Sequence, residues 1–164
     1  MPRSEVAKAA VSRSDQLEED GDLDGAIAVL GDAIRQDSTD PLLAALRGRL
    51  FRIRKEWRKA IADFDTALAM KPDAPTTLFF RGTCRAEVGD FEGAIADLEN
   101  VIRLEPESAD AYWELGIIHR FRRDLDRAIA AYKKAFALDP NRYAGLEEMV
   151  TGLEREIEES KQRS

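Results

Sequence analysis

Ala26-Ile27-Ala28 is the first of four Ala-Ile-Ala triplets, and the others begin at intervals of 34 residues, at Ala60, Ala94 and Ala128. A large apolar residue stands four places after the first alanine of each triplet, and a small or short residue stands seven places after it. In chain order these residues are Leu30, Phe64, Leu98 and Tyr132, and then Ala33, Ala67, Val101 and Ala135. Residues at these spacings lie on one face of a helix. The sequence therefore predicts one amphipathic helix that occurs four times.

The rest of the 34-residue period repeats as well. A residue with a very small side chain precedes each triplet by twelve places, namely Ser14, Gly48, Gly82 or Gly116. Twelve places after the first alanine stand Pro72, Pro106 and Pro140, with Ser38 in the first copy. A small residue within a first helix, alanines within a second and a closing proline are typical of one repeat type. The sequence thus resembles the tetratricopeptide repeat (TPR) family, in its small bacterial-type form, over residues 7–142.

The resemblance implies an all-α fold, a right-handed α-solenoid of four helix-turn-helix hairpins within a single domain, 1–164. The four repeats are expected at residues 7–40, 41–74, 75–108 and 109–142. Their helices are expected at about Ser4–Glu19, Leu23–Gln36, Leu42–Arg54, Arg58–Lys71, Thr76–Val88, Phe91–Leu104, Asp110–Arg122 and Leu125–Leu138. A last helix, at about 143–160, carries an apolar stripe of Leu146, Met149, Val150, Leu153 and Ile157. We expect this helix to cap the fourth repeat, and its exchange between two chains is the alternative.

Composition narrows the classes of partner and location. The net charge of −7 disfavours nucleic acid as a partner. No apolar run has the length of a signal peptide or of a membrane-spanning helix, so no membrane association is expected. The single cysteine, Cys84, cannot form an internal disulfide, which favours a reducing compartment. The sequence therefore predicts a cytoplasmic protein.

Residues that could carry catalysis are sparse. The sequence has no Gly-rich phosphate loop, no GxSxG elbow and no HExxH zinc motif. His119 is the sole histidine, and both it and Cys84 fall on first helices at positions where we expect packing residues. We therefore predict no enzyme activity, no catalytic residue, no cofactor and no metal site.

Arginine and aspartate vary together between the repeats. Arg47 and Arg81 stand just before the small residue of repeats 2 and 3, and Asp63 and Asp97 follow sixteen places later. Repeat 4 has Leu115 and Ala131 at the same two places. The two helices of a hairpin face each other at this level, so the sequence predicts a partly buried Arg–Asp pair within each of the two middle repeats.

In the TPR family the first helices of successive repeats line a concave groove that holds the ligand. The matching residues in this sequence, for which the resemblance implies peptide binding, are Leu42, Ala45, Arg49, Arg52, Thr76, Phe79, Thr83, Trp113, Ile117 and Arg120. Phe79 and Trp113 occupy corresponding places one repeat apart, and exposed aromatic residues near arginines are typical of binding surfaces. The alternative for Trp113 is that it packs against Ile117 and the neighbouring repeat.

One TPR subtype, the carboxylate clamp that holds acidic chaperone tails, requires lysines, asparagines and an arginine at fixed places. Neither frame of this sequence supplies them, the residues present being Val11, Asp15, Leu46, Thr76 and Phe80, or Ala45, Arg49, Phe80, Asp110 and Glu114. The resemblance therefore implies a non-catalytic scaffold that binds a protein or an extended peptide, and a ligand with some negative charge remains open. A self-association module, acting through the solenoid ends or the last helix, is the alternative function.

Overall fold

The computed structural model describes residues 4–162, and all regular secondary structure within that range is helical. Its helices are α1 Glu5–Glu19, α2 Leu23–Gln36, α3 Pro41–Ile53, α4 Trp57–Met70, α5 Pro75–Glu87, α6 Phe91–Leu104, α7 Ala109–Phe121, α8 Leu125–Leu138 and α9 Leu146–Gln162. The predicted alternation of first and second helices is therefore confirmed in the described range.

The helix starts show how local sequence sets each boundary. Three second helices, α2, α6 and α8, begin at the predicted residues. The first helices α3 and α5 begin one residue early, because Pro41 and Pro75 occupy the first helical turn. The last helix starts at Leu146, so the predicted start at residue 143 was wrong. The Asp139 carboxylate accepts a hydrogen bond from the Arg142 backbone N–H at 3.1 Å. This interaction stabilises turns instead of a helix over residues 140–145.

The turn between the two helices of a hairpin has a left-handed residue at one repeating place. Gly21 and Gly89 have φ angles of 80° and 84°, as expected for glycine. Lys55 and Arg123 hold the same place in their repeats with φ angles of 59° and 64°. A side chain on a left-handed residue costs about 1 kcal/mol or more, because Cβ crowds the following carbonyl group. The repeating turn therefore imposes its backbone conformation on residues that disfavour it.

Lys55→Gly is expected to raise the free energy of unfolding by about 1 kcal/mol, because glycine adopts a positive φ without this cost. Gly21→Ala is the matched control, since a Cβ at Gly21 would meet no atom within 4 Å and only its φ angle opposes it. This variant should lose stability by a similar amount. The measurement is denaturant unfolding of both variants, and a Lys55→Gly variant no more stable than the parent would contradict the strain.

The described residues form two compact units, residues 4–90 and residues 91–162. In the N-terminal unit, each of α1 to α4 packs on the helix that follows it, and α3 also contacts α5. Among its buried apolar side chains, one cluster includes Leu30, Leu43 and Leu50 and another consists of Ala60, Phe64 and Cys84. The core of this unit therefore runs from hairpin to hairpin, as expected for a repeat. The organisation of all four repeats in a single domain stays a prediction.

In the C-terminal unit, each of α6 to α8 also packs on the helix that follows it. Leu146, Val150 and Leu153 of α9 are buried against Ala128 and Tyr132 of α8. The apolar stripe of α9 therefore packs against α8, the second helix of the fourth repeat, as the sequence predicted. Exchange of α9 between chains stays an open alternative.

The four triplet helices bury the residues that the repeat pattern selected. The first alanine, the large apolar residue and the short residue are buried in every copy. The third residue of each triplet, Ala28, Ala62, Ala96 or Ala130, is exposed. The predicted amphipathic helix is therefore confirmed in each of its four copies.

Candidate functional site

The predicted ligand-facing residues divide between the two units. We call the residues on α3 and α5 the first-helix face, namely Leu42, Ala45, Arg49, Arg52, Thr76, Phe79 and Thr83. Thr76 is exposed, and the other six are half-buried. The remaining three, Trp113, Ile117 and Arg120, lie on α7 of the C-terminal unit. Because α3 and α5 contact each other directly, the structure brings the first seven residues to adjacent helices.

Arg49 is held by a carboxylate of the preceding first helix. Its two terminal nitrogens donate to the two carboxylate oxygens of Glu18 at 2.7 and 2.6 Å, and both side chains are half-buried. This fork geometry fixes both groups and cancels their charges. Sequence reasoning placed Arg49 in the groove but missed its pairing with Glu18. The pair could have been inferred from the opposite charges of Glu18 and Arg49, which lie on consecutive first helices.

Arg52 has a different environment. The central carbon of its guanidinium group lies 4.4 Å from the centroid of the Phe80 ring, a cation–π distance. Its Nε atom is buried and has no hydrogen-bond partner. Cys84 belongs to the apolar cluster against which Phe80 packs, and it is fully buried, so burial raises the pKa of its thiol to about 11. Cys84 is therefore a protonated packing residue at neutral pH, as the sequence predicted.

Phe79 rests on an aromatic cluster and keeps part of its surface exposed. Its ring meets the Phe80 ring edge to face, with centroids 5.9 Å apart, and Phe80 in turn contacts Phe64 at 6.2 Å. Phe64 is fully buried, whereas Phe79 and Phe80 are half-buried. The cluster therefore supports Phe79 at the surface from below.

Trp113 is part of the packing of the C-terminal unit. Its ring stacks on Tyr143 with centroids 5.3 Å apart and planes at 26°, and it lies at the same centroid distance from Tyr132. Tyr143 is held in place by a hydrogen bond from its hydroxyl to Asp110, the carboxylate that also pairs with Arg142 at 3.0 Å. The packing alternative for Trp113 therefore has direct contacts to support it, and a binding role stays a prediction.

Ile117 and Arg120 differ in exposure. Ile117 is half-buried against the same apolar cluster as Trp113. Arg120 is exposed, and its guanidinium nitrogen lies 3.8 Å from the sulfur of Met149 on α9. The two residues therefore lie with Trp113 along α7, and their part in ligand binding stays a prediction.

The first predicted Arg–Asp pair is present. Arg47 donates from Nε and a terminal nitrogen to the two Asp63 oxygens at 2.7 and 2.6 Å. The hydrogen bond to Asp63 raises the pKa of Arg47 further, so its charge is permanent. Arg81 donates to Asp65 at 2.7 Å within the N-terminal unit, and Asp97 is buried in the C-terminal unit. The Arg81–Asp97 pair stays a prediction.

His119 is a buried residue of α7. Its Nδ1 atom lies 3.9 Å from an Asp124 oxygen, which is too far for a hydrogen bond. Burial lowers the pKa of His119, so the ring is neutral at neutral pH.

Within residues 4–162, no group of three His, Cys, Asp or Glu side chains could hold a metal ion. None of the helices in this range combines the length and apolar character needed to cross a membrane.

Three sequence profiles described as tetratricopeptide repeat match residues 11–75, 46–113 and 85–149, and together they extend from the first repeat past the last. The chain belongs to the tetratricopeptide repeat family. No curated protein matches it significantly in sequence.

Solved TPR structures resemble between 74% and 97% of the chain. MamA 41-end from Desulfovibrio magneticus RS-1 has a TM-score of 0.80 at 22% identity, with 94% of this chain and 98% of that chain covered. A tetratricopeptide repeat protein from Parabacteroides merdae has a TM-score of 0.82 at 20% identity, with 97% and 64% covered. The first TPR of Spaghetti (RPAP3), bound to an HSP90 peptide, has a TM-score of 0.66 at 18% identity, with 74% and 95% covered. These likenesses confirm the all-α TPR solenoid fold, and the number of repeats stays a prediction.

Proposed function

We propose that this TPR protein is a non-catalytic scaffold that binds a protein or an extended peptide along the first-helix face. The observation that carries the proposal is Phe79, a half-buried aromatic ring that is supported by Phe80 and Phe64 and shares adjacent helices with Leu42 and Ala45. Aromatic anchors on a rigid base are typical of peptide-binding surfaces. The TPR of RPAP3, which is similar in fold, is bound to the peptide SRMEEVD.

The remaining parts of the proposal concern partner class and location. The net charge of −7 argues against nucleic acid as the partner. The single buried cysteine fits a reducing compartment, so we place the protein in the cytoplasm and away from membranes. The partner carries some negative charge, which Arg52 can accept.

Phe79→Ala is expected to weaken partner binding by about 2 kcal/mol, roughly thirtyfold, while helicity and melting temperature stay close to those of the parent. The measurement is capture of partners from native lysate, followed by the affinity of each variant for a recovered partner. Phe121→Ala is the matched control, because Phe121 is 72% exposed and lies outside the predicted site. Folded Phe79→Ala that retains every partner of the parent would overturn the proposal.

Self-association is the second candidate. Phe121, at the end of α7, is the most exposed large apolar side chain in the described chain, and its ring contacts Phe91 at 5.1 Å. Phe121 is thus the residue of this unit best placed to contact a second copy of the chain. Light scattering over a range of concentrations separates the two candidates, since a monomer at high concentration contradicts self-association and a stable dimer supports it.

A further inference from the structure

The arginines of α3 and its C-terminal cap differ in how their charges are satisfied. Arg47 pairs with Asp63, Arg49 with Glu18, and Arg54 with both Asp24 and Glu56. Arg52 is the exception among these four. No carboxylate of the described residues lies within ion-pair distance of it, and Phe80 is its neighbour instead. This helix therefore presents one cation, Arg52, that has no anionic partner among residues 4–162.

Arg52 is also partly desolvated. Its Nε–H is buried without an acceptor, while the residue as a whole remains half-buried and reaches solvent through the rest of its side chain. A buried donor without a partner is unfavourable. Contact with the Phe80 ring and the nearby C-terminus of α3 offset part of that cost, because both favour a positive charge. Neither replaces an acceptor in the plane of the guanidinium group.

From these contacts we propose that Arg52 is a carboxylate-binding site on the first-helix face, which receives an Asp or Glu side chain or the C-terminal carboxylate of the bound peptide. The proposal rests on the peptide-binding function above and adds its chemical specificity. The planar guanidinium fork matches a carboxylate with two parallel hydrogen bonds. Phe80 covers one side of the group and restrains it before the ligand arrives, which lowers the entropic cost of binding.

The neighbours of Arg52 explain why it, and not Arg49, has this role. Arg49 would have to leave both oxygens of Glu18 before it could bind a ligand. Arg52 breaks no ion pair when an anion binds. The Phe80 ring lies against both Arg52 and Phe79, so a carboxylate at Arg52 would be separated from the proposed aromatic anchor by a single ring. The site differs from the carboxylate clamp, whose residues this sequence lacks.

The test uses randomised hexapeptide pools on the immobilised full chain. One pool has Glu fixed at the fourth place and its counterpart has Gln there, and the other five places are randomised among uncharged residues. Each pool is made with a free and with an amidated C-terminus. Arg52→Gln is compared with Arg52→Lys, which keeps the charge but loses the fork. Arg58→Gln is the matched control, because Arg58 is exposed on α4 and its replacement changes the net charge equally. Circular dichroism establishes that each variant is folded.

The parent and Arg58→Gln are expected to retain the carboxylate-bearing pools about tenfold better than the neutral amidated Gln pool, a typical effect of one charge-assisted hydrogen bond. Arg52→Gln should lose this preference and Arg52→Lys should keep part of it. A preference for Glu in amidated pools identifies a side-chain carboxylate, and a preference for free C-termini identifies the terminal one.

Two results would overturn the proposal, and they differ in what they leave standing. If the parent retains all pools equally, or if Arg52→Gln keeps the full preference, peptide binding stands and the carboxylate site at Arg52 does not. If the parent retains none of the pools while a folded chain is on the support, the peptide-binding function fails together with the site.

Discussion

Trp113→Ala is expected to lower the free energy of unfolding by about 3 kcal/mol, which corresponds to roughly 10 °C in melting temperature. The ring joins three parts of the C-terminal unit, because it lies on α7, meets Tyr132 of α8 and stacks on Tyr143 before α9. Removing it leaves a cavity between these tyrosines. It also removes an aromatic surface from the segment that leads into the last helix. Thermal and denaturant unfolding are the measurements.

Two further variants show that the loss comes from this packing. Trp113→Phe should recover much of the stability, since a smaller ring can still stack on Tyr143. Phe79→Ala changes the corresponding residue one repeat earlier and should cost less, because its aromatic contacts lie with Phe80, its neighbour in sequence. A Trp113→Ala variant as stable as the parent would show that the stack contributes nothing. Because Trp113→Ala disturbs folding, Phe79 is the better residue for testing ligand binding.

The parts of the fold that were predictable from sequence are those that recur every 34 residues. Leu30, Phe64, Leu98 and Tyr132 occupy one place and are all fully buried, since each repeat solves the same packing problem. The small residue of the first helix has the same origin. A Cβ at Gly48 would lie 2.8 Å from the Phe64 ring, and one at Gly116 would lie 2.4 Å from the Tyr132 ring. Close helix contact therefore requires glycine there.

The features that sequence did not predict depend on contacts that occur once. Tyr143 precedes α9 because Asp139 and Arg142 stabilise a turn there, and no other repeat provides a comparison. The pair of Glu18 and Arg49 joins two repeats, whereas the covariation of arginine and aspartate compared positions within one repeat. The isolation of Arg52 could be recognised only after the partners of the neighbouring arginines were known. The sequence could therefore name the candidate positions, but it could not show which of their arginines are paired with carboxylates.

Asp63→Ala is expected to cost about 3 kcal/mol of unfolding free energy, because it leaves Arg47 without its partner between α3 and α4. The Asp63 side chain is 8% exposed and that of Arg47 is 26% exposed, so water can restore only part of the lost interaction. Asp65→Ala, two residues further along α4, is the matched control. The Asp65 side chain is 50% exposed in its pair with Arg81, so water can replace much of the lost interaction, and its removal should cost about 1 kcal/mol or less.

The double variant Arg47→Leu with Asp63→Ala should recover most of that loss. Repeat 4 already has Leu115 and Ala131 at these places, and both are buried, so an apolar pair fits this level of a hairpin. Replacement of a buried ion pair by apolar residues is often neutral or stabilising, whereas removal of one partner is not. A double-mutant cycle in denaturant measures the coupling between the two positions. Strictly additive losses from Arg47→Leu and Asp63→Ala would show that the two side chains stabilise the hairpin independently, and that the ion pair contributes nothing of its own.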